Sequence, residues 1–100
     1  MKNIVLVCAA GMSTSLLVNK MKDAAKEENF ECTINAYSAS SSSEAIKKSD
    51  IVMLGPQVKY LLEKMRKENP DKTIVSIDMR MYGAIDGKGV LNQAKELMGV

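Results

Sequence analysis

Cys8 is followed by a run of small and hydroxyl residues, Ala9, Ala10, Gly11, Met12, Ser13, Thr14 and Ser15, before an apolar helical pattern resumes. Small side chains in such a turn let successive backbone N–H groups converge, and a helix beginning behind them adds the positive end of its dipole. That is a cradle for an anion. The three hydroxyls can cap the helix or donate to phosphate oxygens, and capping alone accounts for any one of them. The same donors favour thiolate over thiol at Cys8, so the pattern sets a nucleophile against an anion seat. A free cysteine at a strand end is ordinarily a small buried hydrophobe. What argues for chemistry is the coincidence of thiol, cradle and helix start. Cys32 lacks that context and reads as core packing.

Most other chemistry is excluded. The chain has no histidine, so it lacks the usual proton shuttle and the commonest metal ligand. Neither G-x-x-x-x-G-K-[ST] nor G-x-G-x-x-G occurs, and nothing in the pattern calls for a metal or a cofactor. A net charge of +2, with lysines and acids interspersed, offers no basic patch for nucleic acid. Two cysteines among 100 residues do not make a disulfide scaffold, and the apolar run Ile4–Val7 is too short for a signal-peptide core or a membrane span. The expected setting is the reducing cytoplasm.

The elements that must position Cys8 follow from hydrophobic period. With 46% apolar and 26% charged residues the composition is globular, and the length suits one domain over 1–100. Residues 3–7 and 50–55 are continuous apolar runs, as central strands covered on both faces require. Residues 31–37 alternate, with Cys32, Ile34 and Ala36 on one side, and 72–78 are mixed; both read as edge strands. Helical spacing appears from Ser15 to about Glu28, weakly over 43–49 behind a Ser41 to Glu44 capping box, over 58–65 through Val58, Leu61, Leu62 and Met65, and again through Val90, Leu91, Ala94, Leu97 and Met98. Strands alternating with helices give an α/β fold, an open four-stranded parallel sheet of order 2-1-3-4 with helices on both faces. Such a sheet reverses its winding direction between strands one and three, and ligands bind there, beyond the carboxyl ends of the strands. Cys8 stands at that point.

Two later stretches reach the same rim. Pro56, after strand three, suits the start of a helix, and the adjacent Gln57 is a candidate rim contact. Asp78, Met79 and Tyr82 follow strand four. Tyr82 is a second candidate contact, whereas an acid beside a dianion would repel it, so Asp78 is better placed as a cap. Asp86 is positioned to cap the last helix. Met12, Met79 and Met81 are candidates for adaptable contact with a partner.

The nearest enzyme pattern is the C-x5-R loop of low-molecular-weight protein tyrosine phosphatases. Thr14 holds the arginine's position, so the fork that clamps a transferring phosphoryl group is missing and hydrolysis should be slow. A cysteine that accepts phosphate without hydrolysing it suits a relay. The stretches CAAGMSTSLL (8–17), LGPQ (54–57) and DMRMYGAIDGKGVL (78–91) resemble the IIB components of the lactose/cellobiose group of the bacterial sugar phosphotransferase system, which also covers chitobiose. The resemblance implies a phosphoryl carrier. Its Cys8 would accept phosphate from a phosphohistidine on a IIA protein and pass it to a disaccharide bound by the membrane-embedded IIC transporter, with peripheral association at the membrane. The alternative is an arginine-poor phosphatase-like hydrolase.

Overall fold

The computed structural model describes residues 1–9 and 12–100, and for Met12 and Ser13 the backbone alone. Four parallel strands, Lys2–Cys8 (β1), Cys32–Ser38 (β2), Ile51–Leu54 (β3) and Ile74–Ser76 (β4), lie in the order β2-β1-β3-β4. The helices are Met12–Glu27 (α1), Ser43–Lys47 (α2), Leu62–Glu68 (α3), Met79–Gly83 (α4) and Gly87–Met98 (α5).

The two central strands divide their side chains between two apolar layers. Ile4, Leu6, Ile51 and Met53 pack with Leu17 and Met21 of α1 and with Val90, Leu91 and Ala94 of α5. Val5, Val7, Val52 and Leu54 face the other way, onto Ile46, Val58 and Met65. Helices therefore cover both faces, which is why these strands are continuously apolar. Each fully buried aliphatic side chain contributes about 1.5–3 kcal/mol. A one-residue slip of β1 would move Ile4, Val5, Leu6 and Val7 each to the wrong layer, so its register is strongly held. At the amino end of the sheet Asn3 adds a polar clasp. Its side chain accepts from Thr33 Oγ1 at 2.8 Å and donates to the Lys48 carbonyl at 2.9 Å, while its backbone N–H donates to Asp50 at 2.6 Å.

Several boundaries differ from the sequence expectations. Helix α1 begins at Met12, three residues before Ser15, so the hydroxyl cluster lies in its first turn instead of the loop ahead of it. The stripe over 58–65 is not one α-helix: Pro56–Leu61 form a 3-10 turn with Val58 at φ −117°, and α3 starts only at Leu62. Proline starts the turn, and the stripe still buries Val58 and Met65 because a kinked segment can present the same two anchors to the sheet. No capping box forms at Ser41. It belongs to the 3-10 turn Ala39–Ser41 and bonds Ser38 Oγ, while Ser42 occupies the cap position of α2 without a side-chain cap bond. Ala36 and Leu97 are exposed, Ala36 because β2 is an edge strand, while in the last turn of α5 it is Met98, not Leu97, that packs against the core. The sequence pattern did not show α4, a single five-residue turn.

Both acidic caps are in place. Asp86 accepts from the Gly89 N–H at 3.0 Å, and Asp78 Oδ1 accepts from the N–H groups of Arg80 at 2.8 Å and Met81 at 3.3 Å. Gly87 marks the tightest helix contact: a Cβ there would come within 2.4 Å of the Lys20 carbonyl carbon and 2.5 Å of Met21 N, both backbone atoms of α1.

Two outcomes follow for stability. Gly87→Ala must push α5 away from α1 and lowers unfolding free energy by about 3 kcal/mol, whereas Gly83→Ala, with nothing within 4 Å, changes it little. Urea titration of both variants against the parent distinguishes them. Asp78→Ala removes the α4 cap and costs about 1 kcal/mol, while Asp78→Asn keeps an acceptor and stays near the parent value in the same titration.

Candidate functional site

Strand β1 pairs with β2 on one edge and β3 on the other, so the connections leave its carboxyl end in opposite directions and open a crevice between β1 and β3. Cys8, the last residue of β1, sits at that end, 6% exposed, beside an exposed Ala9. Its alternation with Ile4 and Leu6 turns its side chain to the α1 and α5 side of the sheet. The thiol donates a long hydrogen bond, 3.8 Å, to the Tyr37 carbonyl at the end of β2. The bond requires a proton on sulfur: a thiolate or a substituted sulfur faces the same carbonyl oxygen as one lone pair faces another.

Across the crevice the Gly55 N–H donates to the Val7 carbonyl at 2.8 Å, pinning the residue before Cys8 to the chain leaving β3. Gly55 is buried because side chains close over it. A Cβ there would lie 3.0 Å from Gln57 Oε1, 3.5 Å from Cε2 of the Tyr82 ring and 3.6 Å from the Val7 carbonyl oxygen. Both candidate rim residues thus meet at the end of β1, Gln57 from an exposed position and Tyr82 from a buried one. The Tyr82 hydroxyl continues to Thr14 Oγ1, a buried hydrogen bond of 2.8 Å that joins α4 to the first turn of α1. Thr14 is 2% exposed.

Ser15 is exposed in the same turn. Ala10 and Gly11 lie outside the described residues, as do the side chains of Met12 and Ser13, so the anion cradle expected over 9–15 is described only at Ala9, Thr14 and Ser15 and along the backbone of α1. Of the other methionines expected to meet a partner, Met79 is 75% exposed, but Met81 packs partly against the core and is not free for that purpose. Cys32 is half-buried against the layer beneath α1, and burial pushes its thiol upward from the usual range, so it stays protonated where a free thiol begins to ionise. Among the described residues no group of acids and cysteines could hold a metal ion, and no helix is long and apolar enough to cross a membrane.

Two parts of this site escaped the sequence reading. The Tyr37 acceptor is a main-chain carbonyl, which no residue type signals. Gly55 carries a weak signal, a glycine where strand three meets the crevice, since close approach of another chain is a common reason for glycine at a strand end.

The chain is similar to known proteins along nearly its whole length. The lactose/cellobiose-specific IIB subunit family of the phosphotransferase system matches residues 3–93. The oligo-beta-mannoside-specific EIIB component of the phosphotransferase system of Bacillus subtilis (strain 168) is 43% identical over 100 residues, covering 98% of this chain and 97% of its own. The galactose-specific EIIB component of Lactococcus lactis subsp. cremoris (strain MG1363) is 39% identical over 104 residues, covering 97% and 96%. The solution structure of a cellobiose-specific phosphotransferase IIB component from Borrelia burgdorferi superimposes with a TM-score of 0.82 at 35% identity, over 98% of this chain and 92% of that one. A four-stranded parallel sheet of order 2-1-3-4, a strand-end thiol at its switch point and relatives matched along nearly their whole length lead to one assignment: the chain belongs to the lactose/cellobiose IIB family of the sugar phosphotransferase system.

Proposed function

We propose that Cys8 is the residue through which this IIB component carries phosphate. A phosphohistidine on a IIA protein presents its phosphorus to the Cys8 sulfur; the S–P bond forms as the N–P bond breaks, and the electron pair returns to the imidazole. A sugar hydroxyl held by the membrane IIC component then attacks phosphorus, the S–P bond breaks, sulfur leaves as thiolate, and the hydroxyl proton passes to solvent. Backbone N–H groups of residues 9–15 and the start of α1 stabilise the charge on the transferring group. The observation that carries this reading is the position of Cys8 at the end of β1, at the switch point of a sheet belonging to a phosphotransferase family.

The thiol's contact with the Tyr37 carbonyl belongs to the resting form. It is lost with the proton, so a thiolate or phosphorylated Cys8 gives up that tie to β2. Residues 1–100 act as one carrier domain in the cytoplasm, visiting the IIA protein and the transporter in turn. Exposed Met79, which follows β4, and exposed Leu16 on α1 supply adaptable apolar contacts. The proposed sugar is a disaccharide, on the strength of the cellobiose-specific relative, and galactose, named for another relative, is the competing outcome of the test. Hydrolysis is disfavoured by Thr14, which stands where a phosphatase loop would place its arginine.

The test is phosphotransfer from a phosphorylated IIA protein. Wild-type chain gains the mass of one phosphoryl group and Cys8→Ser gains none, while Cys32→Ser labels like the parent. Labelled protein then phosphorylates cellobiose, a β-mannobiose or galactose in membranes containing the matching IIC component. Steady release of inorganic phosphate from an aryl phosphate, with no partner protein present, would instead establish the hydrolase.

A further inference from the structure

We infer that Tyr82 is a positioning residue for phosphoryl transfer, its hydroxyl donating to Thr14 Oγ1 so that the Thr14 proton is left for a phosphoryl group carried on Cys8. The inference rests on the reading of Cys8 as phosphoryl acceptor.

Three observations converge on it. The bond is short and buried, 2.8 Å between residues 68 apart in sequence, and both side chains are less than a tenth exposed. A buried hydroxyl pair of this kind is costly to leave half-satisfied, so each partner fixes the other. The direction of donation follows from acidity: a phenol is the better proton donor and an aliphatic alcohol the better acceptor, so Tyr82 gives its proton and Thr14 retains one of its own. Finally, the Tyr82 ring is not free to drift. It stands against Gly55, whose N–H holds the Val7 carbonyl, and α4 is anchored by the Asp78 cap. The tyrosine therefore measures the distance between the end of β1, which carries Cys8, and the first turn of α1, which carries Thr14.

Thr14 is the sixth residue after Cys8 and stands in for the arginine of a hydrolytic loop. An arginine brings its charge and its geometry together. A threonine brings a single neutral donor, and one donor is useful only when its hydrogen is aimed. Tyr82 supplies the aim without touching the phosphoryl group.

Tyr82→Phe keeps the ring against Gly55 and removes only the hydroxyl. With the phosphorylated IIA protein at saturating concentration, this variant accepts phosphate about tenfold more slowly, equivalent to about 1.4 kcal/mol in the barrier, while the IIA concentration for half-maximal rate is unchanged. The phosphorus resonance of phosphocysteine titrates at a higher pH than in the parent, because a weakened donor no longer favours the dianion. Thr14→Val shows the same two changes, Thr14→Ser recovers most of the lost rate, and the double variant Tyr82→Phe, Thr14→Val is no slower than the slower single one. A purely structural tyrosine would lower the unfolding temperature of Tyr82→Phe and leave both the saturated rate and the phosphorus titration where they were; that result overturns the inference while leaving Cys8 as acceptor. Failure of the wild-type chain to take any label overturns both.

Discussion

Strand β1 is hydrogen-bonded along both edges and covered on both faces, and every property of the site descends from that. Four consecutive residues, Ile4 to Val7, are sealed between two helical layers, which leaves the strand no freedom of register. The residue that emerges from the far end is consequently placed to within the tolerance of a packed core. A thiol on a loop would wander by ångströms; a thiol as the last residue of this strand inherits the rigidity of the sheet. The amino end is closed by the Asn3 clasp.

Around Cys8 the protein has assembled polar contacts that differ in what they constrain. Val7 and Gly55 share a backbone bond and set the width of the crevice. Tyr82 and Thr14 share a side-chain bond across the crevice mouth and set the approach of α1. The Cys8 thiol needs its proton to bond the Tyr37 carbonyl, so this contact, unlike the other two, depends on the state of the sulfur. A carrier must hold its phosphoryl group and then release it. A fixed frame with one state-dependent contact meets that need better than a frame that tightens around the charged form.

How much of this the residues disclosed depends on the scale of the interaction. The strand order was legible because it is written in burial: Ile4–Val7 and Ile51–Leu54 are apolar at every position, Cys32–Ser38 is not, and two central and two edge strands admit few arrangements. The acidic cap at Asp86 was legible because a cap is a local contact of about three residues, whereas Asp78 read as a cap or a loop residue without the helix it caps. The kink at Val58 was not, because the same stripe of Val58, Leu61, Leu62 and Met65 suits a straight helix or a 3-10 turn followed by one, and only the sheet decides. The start of α1 at Met12 was hidden by a composition of small and hydroxyl residues that turns and first helical turns share. The Thr14 to Tyr82 bond spans the fold. Each residue alone had a sufficient ordinary explanation, and their meeting depends on α4, an element too short to leave a period.

The substitution of threonine for arginine at the sixth position after the cysteine then has a structural counterpart. An arginine would need an acidic or carbonyl partner to hold its fork, and it would keep its charge beside the phosphorus through every step, favouring the attack of water as readily as transfer to a sugar. Thr14 is buried, neutral and hydrogen-bonded to a second hydroxyl, so on the proposed reading it offers the phosphoryl group a single donor along one line. On the proposed reading this limits how strongly the loop stabilises a transition state by itself. The remainder must come from what the IIA protein or the transporter brings to the crevice, and a loop that is incomplete until a partner closes over it discriminates against water, which brings nothing.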